Sequence, residues 1–294
     1  MLEFLASSGQ VPGLDARIAI AVAFTGAAAY FDMFNKRWVP NWLVYCFAAA
    51  AVALNIVFFS EPLFFQALFF GIAVFAATYP LYKLGQLGGA DVFVFASIAT
   101  AIPYLPKPLM AESQLIPYPF ILSVLVPTGL AFILHMALRF IPYISKRIAN
   151  GKVKLGIAKL AGPAMVSAAF LFFIFSLLQL PIQLSISYMA TITFLFISLL
   201  FFSLFKDEIK ESMVEPVRTS SLQVEDVLAL EQMRPETVKK LNLSALISAK
   251  TISSLKAAKI KSVPVYTGMP AFLPYLFIGL LFTILFGDLL YYII

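Results

Sequence analysis

Apolar runs recur along this chain at close to the length that crosses a lipid bilayer. Eight can be delimited, at roughly 14–34, 42–59, 63–82, 91–105, 116–141, 162–180, 182–205 and 270–293. A spanning helix needs about 20 predominantly apolar residues. In lipid every backbone N–H and C=O must be satisfied within the protein, which restricts spanning segments to helices or closed barrels. Runs of this length, without the two-residue alternation of a barrel, predict an all-α polytopic membrane protein with about eight transmembrane helices. The fourth run, of about fifteen residues, is short for a span. It is expected to tilt or to begin inside the protein. The boundary between the sixth and seventh runs rests on the stretch "LQLPIQL". Composition agrees: 61% of the 294 residues are hydrophobic and 12% charged, well outside the range of a soluble domain.

Charge sets the expected orientation. Lys36, Arg37, Lys83, Arg139, Lys146, Arg147, Lys152, Lys154 and Lys159 follow odd-numbered runs or sit at their edges, whereas only Arg17 and Lys107 fall on the other side before residue 205. By the positive-inside rule both termini are then outside, and the loops 35–41, 83–90 and 142–161 are cytoplasmic. The net charge of +6 is read as this topological signal rather than as a nucleic-acid footprint, so no nucleic-acid partner is expected. The N-terminal stretch lacks the basic region of a cleavable signal peptide.

Residues 206–265 differ in kind, with ten basic and eight acidic residues. They read as a small soluble cytoplasmic module before the last helix. Within it "RPETVKKLNL" and "SAKTISSLKAAKI" have the Pro or Ser/Thr starts of short helices. The expected division is a membrane domain over 1–205, the module over 206–265 and a last transmembrane helix over 266–294.

Most chemistries lack their parts. The one Cys, Cys46, and the one His, His135, are too few for a Cys/His metal site, and a single Cys forms no internal disulfide. His135 reads as a buried, hydrogen-bonded residue of the fifth run and Cys46 as helix packing. No phosphate-binding or dinucleotide fingerprint is present. Six acids precede residue 206: Glu3, Asp15, Asp32, Glu61, Asp91 and Glu112. The expected topology puts four of them outside. Asp32 and Asp91 are left, at the cytoplasmic ends of the first and fourth helices and so at one membrane depth. An ionisable residue at membrane depth is costly and marks function by default. Capping is the alternative: Asp91 at a helix N-terminus, or Asp32 pairing with Lys36 at i,i+4. Gly85, Gly88 and Gly89 precede Asp91, where backbone able to take positive φ can approach a substrate closely. Asp288, near the outer end of the last run, reads as structural.

The segment "FDMFNKRWVPNW" resembles the surroundings of the first aspartate in type IV prepilin peptidases, and "GGAD" resembles their Gly-x-Gly-Asp motif, shared with the GxGD intramembrane aspartyl proteases. The tail "KIKSVPVYTGMPAFLPYLFIGLLFTILFGDLL" is similar to the C-terminal region of archaeal prepilin and preflagellin peptidases. Ala90 stands at the motif's second glycine, and Phe93 where a lysine is common. The resemblance implies a membrane-embedded aspartic endopeptidase with Asp32 and Asp91 as catalytic residues. Gly88, Gly89 and Ala90 would lie against the substrate. The substrates implied are pilin-like or archaellin precursors, cut on the cytoplasmic side of the cell membrane. Membrane lipid is the other expected partner, and no metal or organic cofactor is expected.

Two carboxylates at short range cannot easily both ionise and are expected to share one proton, one activating water while the other donates to the scissile carbonyl. Basic loops near the pair would repel a basic leader peptide. Asp207, Glu208, Glu211, Glu215, Glu225 and Asp226 are therefore candidates to recruit it. A proton-coupled transporter using the same paired acids, or a scaffold in which they only cap helices, are the competing readings.

Overall fold

The computed structural model describes residues 11–35, 38–106, 109, 119–151, 153, 156–179, 186–224, 226–258 and 260–289. The turn expected at "LQLPIQL", and Glu3, Lys36, Arg37, Lys107, Glu112, Lys152, Lys154 and Glu225, lie outside these residues in whole or in part. The chain is mostly helical. The apolar runs form α1 (Leu14–Phe34), α2 (Asn41–Val57), α3 (Glu61–Lys83), α4 (Gly89–Ala101), α5 (Phe120–Ala149), α6 (Ile157–Leu178) and α7 (Ile186–Leu204). A charged helix, α8 (Lys206–Met213), follows, then α9 (Pro235–Lys240), α10 (Ala249–Ala257) and the apolar α11 (Leu273–Phe286). Five of the apolar helices are long enough to cross a membrane; α2, α4 and α11 are shorter. Local sequence explains two of the short ones. Helix α4 starts after Gly88 and stops before Pro103, and α11 has Pro274 as its second residue and stops before Gly287.

The chain divides into two compact units. One comprises Met1–Gly129 with Val214–Asp288, the other Leu130–Met213 with Leu289–Ile294. In the first, α4 is buried between α2 and α3, and α1 packs on both α2 and α11. Arg17 fixes the direction of these helices. It is fully buried, and its guanidinium donates to the carbonyls of Pro12 (2.9 Å) and Ala101 (2.8 Å) and to Asn55 Oδ1 (2.9 Å). Asn55 Nδ2 in turn donates to the Thr100 carbonyl at 2.9 Å. The start of α1 therefore meets the ends of α2 and α4, where exposed helix carbonyls favour a cation. Sequence reading counted Arg17 only as an outside charge; it is an internal staple.

Small residues let the apolar helices approach closely, as membrane helices do in the absence of a strong hydrophobic drive between them. A Cβ built at Gly279 of α11 would lie 2.8 Å from the Val124 carbonyl oxygen of α5. One built at Gly71 of α3 would lie 2.0 Å from Thr100 Oγ1 of α4. Cys46 faces outward from α2 rather than packing between helices.

The module expected over 206–265 contains the two expected short helices. Pro235 opens α9, and Ser248 caps α10 by accepting from the Thr251 amide at 3.2 Å. It also contains strands, which the all-α reading did not foresee. Strand β1 (Val214–Arg218) pairs antiparallel with β2 (Ser262–Tyr266), Val214 opposite Tyr266 and Arg218 opposite Ser262. Leu228, Ile247, Leu255, Val263 and Val265 form a small separate core around this pair.

The second unit differs from expectation in three places. Helix α5 does not stop at 141 but runs on to Ala149, so Lys146 and Arg147 are helical. His135 is exposed on α5 rather than buried. The acids of α8 are paired: Lys159 Nζ lies 2.7 Å from Glu208 Oε1 and 3.7 Å from Asp207, and Arg147 lies 2.7 Å from Glu211. These three acids neutralise cations of their own unit, which argues against their recruiting a leader peptide.

Burial of Glu208 disfavours its charge and is the largest single influence, but the Lys159 hydrogen bond, a backbone hydrogen bond and the charges of Lys159 and Arg147 together outweigh it and hold its pKa below the usual value. Such a depressed carboxylate contributes stability above its unfolded pKa, lost as pH falls through the lower folded value. Lys159→Met is therefore expected to cost about 1–3 kcal/mol at neutral pH. The deficit should shrink in acid, where the wild type loses the pair too. Thermal unfolding of both proteins at neutral and acid pH checks this, and equal melting temperatures at neutral pH would refute it.

Candidate functional site

Asp32 closes α1 and Asp91 opens α4, and both side chains are buried at 7% exposure. They come from antiparallel helices whose opposite ends meet at Arg17. Asp32 lies fifteen positions beyond Arg17 on α1, about 22 Å along a helix. Among the described residues Arg17 is the one buried basic residue, and it lies at the far end of α1 from Asp32. Asp288, also buried, follows α11 at the end away from Asp32. Asp32 is close enough for its charge to act on Asp91. The two acids singled out from the sequence thus lie at one end of the first unit, within electrostatic range of each other.

Each carboxylate is held by a backbone amide. Gly88, the residue capping α4, donates its N–H to Asp91 Oδ2 at 2.8 Å. This is the carboxylate half of a capping box, and it is local, three residues apart. Asp32 Oδ2 accepts from the Leu273 amide at 3.1 Å, from the first residue of α11. That donor was not foreseen. Pro274 signals a helix start in the sequence, but nothing local indicates which acceptor that start will meet.

The glycine-rich loop behaves differently from expectation. Only Gly85 takes positive φ, at +71°. Gly88 is extended at φ −74°, and Gly89 and Ala90 form the first turn of α4. Gly88 instead leaves little room, since a Cβ there would lie 3.2 Å from Asp91 Oδ2. Gly88 is exposed, and Gly89 and Ala90 are half-buried, so backbone beside a buried carboxylate remains reachable from outside. Phe93 meets Tyr45 of α2 and Phe75 of α3 edge-on, at 5.6 and 5.4 Å between ring centroids. An apolar ring here wedges α4 between its neighbours, a place that would not suit a lysine.

Among the described residues no group of three or more His, Cys, Asp or Glu side chains is arranged to hold a metal ion. The arrangement offers two acids in an apolar surround of Phe95, Phe272 and Leu273, a setting for proton transfer within a pair.

None of the curated proteins and none of the solved structures compared with the chain matches it. Residues 19–134, less than half of the chain but the part that carries both Asp32 and Asp91, match the model of the type IV leader peptidase family, and this match supports a prepilin-type peptidase of the membrane.

Proposed function

We propose that the protein is a membrane-embedded aspartic endopeptidase. It removes the short basic leader from type IV pilin-like or archaellin precursors at the cytoplasmic face of the cell membrane. Asp32 and Asp91 are its catalytic residues, Gly88, Gly89 and Ala90 lie against the substrate backbone, and no cofactor takes part. The observation that carries this reading is the placement of two buried carboxylates, from distant parts of the matched segment, within electrostatic range of each other at one end of an apolar helical unit. On this reading all eight apolar helices lie in the membrane, and residues 206–265 stand in the cytoplasm. The archaeal type is favoured by the resemblance of the C-terminal tail.

The chemistry follows from the pair. One carboxylate, ionised, takes a proton from water as the water oxygen attacks the scissile carbonyl carbon. The other, protonated, donates to the carbonyl oxygen. Collapse of the tetrahedral intermediate breaks the C–N bond and passes a proton to the leaving amine. The two groups titrate as one unit, so the roles belong to the pair. Nothing in the fold or the comparisons favours a transporter.

The direct test is incubation of purified, lipid-reconstituted protein with a pilin-type precursor bearing a basic leader. Cleavage just before the precursor's apolar segment is expected, and an intact precursor under conditions where a known leader peptidase cuts it would overturn the reading. Space beside Asp91 gives a second expectation. Gly88→Ala and Ala90→Val should each lower kcat/KM by roughly tenfold or more by displacing the carboxylate or the substrate backbone. Ala90→Gly should keep or raise activity. A fully active Ala90→Val protein would remove this loop from the substrate path.

A further inference from the structure

The segment that leaves the β-sheet and enters α11 touches both aspartate-bearing helices. At its start, the Tyr266 amide donates to the Val227 carbonyl at 2.9 Å. Val227 packs against Gly85, where a built Cβ would lie 3.1 Å from Val227 Cγ1. Gly85 lies in the loop that leads to Asp91. At its end, Phe272 stacks on Phe95 of α4, 5.6 Å between centroids and 28° between planes. Phe95 is one helical turn beyond Asp91. The next residue, Leu273, gives its amide to Asp32. Leu273 is fully buried, and Pro270 and Pro274 stiffen the chain on either side of it.

We infer that the segment Tyr266–Leu273 is a positioning element of the aspartate site, through which the module of residues 214–266 sets where Asp32 sits relative to Asp91. The inference rests on the endopeptidase reading of that pair. Its physical basis is that a carboxylate at a helix end rotates unless something holds it. A charge-assisted bond from a buried amide holds Asp32, and the Phe272–Phe95 stack keeps that amide in register with α4. Phe272 acts through its stack on α4 and Leu273 through its amide on the Asp32 carboxylate, and the inference gives neither a contact with substrate, so their effect belongs in turnover rather than in substrate binding.

The test uses the full chain in lipid with a basic-leader precursor. Three variants are compared with wild type: Phe272→Ala, Phe272→Tyr, and Leu273 replaced by its α-hydroxy acid, which keeps the side chain and deletes one N–H. Glu236→Gln, on α9, is the control. Phe272→Ala and the ester variant are expected to lower kcat by roughly 10–100-fold, with KM within about twofold of wild type. Phe272→Tyr should restore kcat, and thermal unfolding should show the variants folded at the assay temperature. Unchanged kcat in Phe272→Ala and the ester variant, beside an inactive Asp32→Asn protein, would overturn this inference and leave the endopeptidase reading standing. So would a loss of kcat that only follows the unfolded fraction, or a loss that the tyrosine does not restore. A wild-type protein that does not cleave at all would overturn the endopeptidase reading, and this inference with it.

Discussion

Asp32→Asn and Asp91→Asn are each expected to lower precursor cleavage by at least about a thousandfold while leaving the protein folded. The size of the effect follows from the pair acting as one unit. Removing either acid removes proton transfer to or from the reacting groups, so the double variant should be little worse than either single one. Folding should survive because Asn keeps an oxygen in place. The Leu273 amide at position 32 and the Gly88 amide at position 91 retain an acceptor of the same shape. Each substitution also ends the competition of two buried acids for one proton, so the melting temperature should hold or rise. Single-turnover cleavage and thermal unfolding on the same preparations measure both halves. A variant with more than about a tenth of wild-type activity would take that residue out of the catalytic pair.

Arg17→Met should have the largest effect on stability, about 3–5 kcal/mol. The methionine fills part of the space but donates nothing. Asn55 Oδ1 and the carbonyls of Pro12 and Ala101 would lose a donor where Arg17 is now fully buried. Arg17→Lys should recover only part of the loss, because an ammonium cannot span acceptors that a guanidinium reaches as a fork. Thermal unfolding in detergent micelles checks the order wild type, Lys, Met. The distance to the aspartates gives a control: kcat per folded molecule should stay at the wild-type value. A melting temperature within about 2 °C of wild type for the methionine variant would show that Arg17 contributes little to stability.

How much of this was legible in the sequence differs from element to element. Helix α1 coincides with its apolar run, and α2, α3, α6 and α7 lie within about five residues of theirs, because lipid-length hydrophobicity leaves a helix as the available form, whereas α11 ends at Phe286, before Gly287, although its run extends to 293. The end of α5 was misplaced because hydropathy marks where apolar character stops, whereas helix geometry continues until something interrupts it. Helix α5 continues through Pro142 and ends only at Asn150-Gly151. His135 and Cys46 were misjudged for a related reason: a membrane protein exposes apolar helix faces, so lying in an apolar run does not mean being inside.

By itself the sequence determined which segments are apolar helices, and it singled out Asp32 and Asp91 by eliminating every other acid before residue 206. Both follow from local quantities, hydropathy and the cost of a charge at a given depth. Only the tertiary structure decided what holds these groups. Asp32 is bonded to an amide 241 positions away. Arg17 is satisfied by the ends of α2 and α4, and β1 finds β2 across most of the module. The acids of α8, which composition alone offered for recruiting a basic peptide, are taken up by Lys159 and Arg147. Hydrogen-bond and ion-pair partners depend on which surfaces packing brings together, and no local pattern of residues encodes that choice.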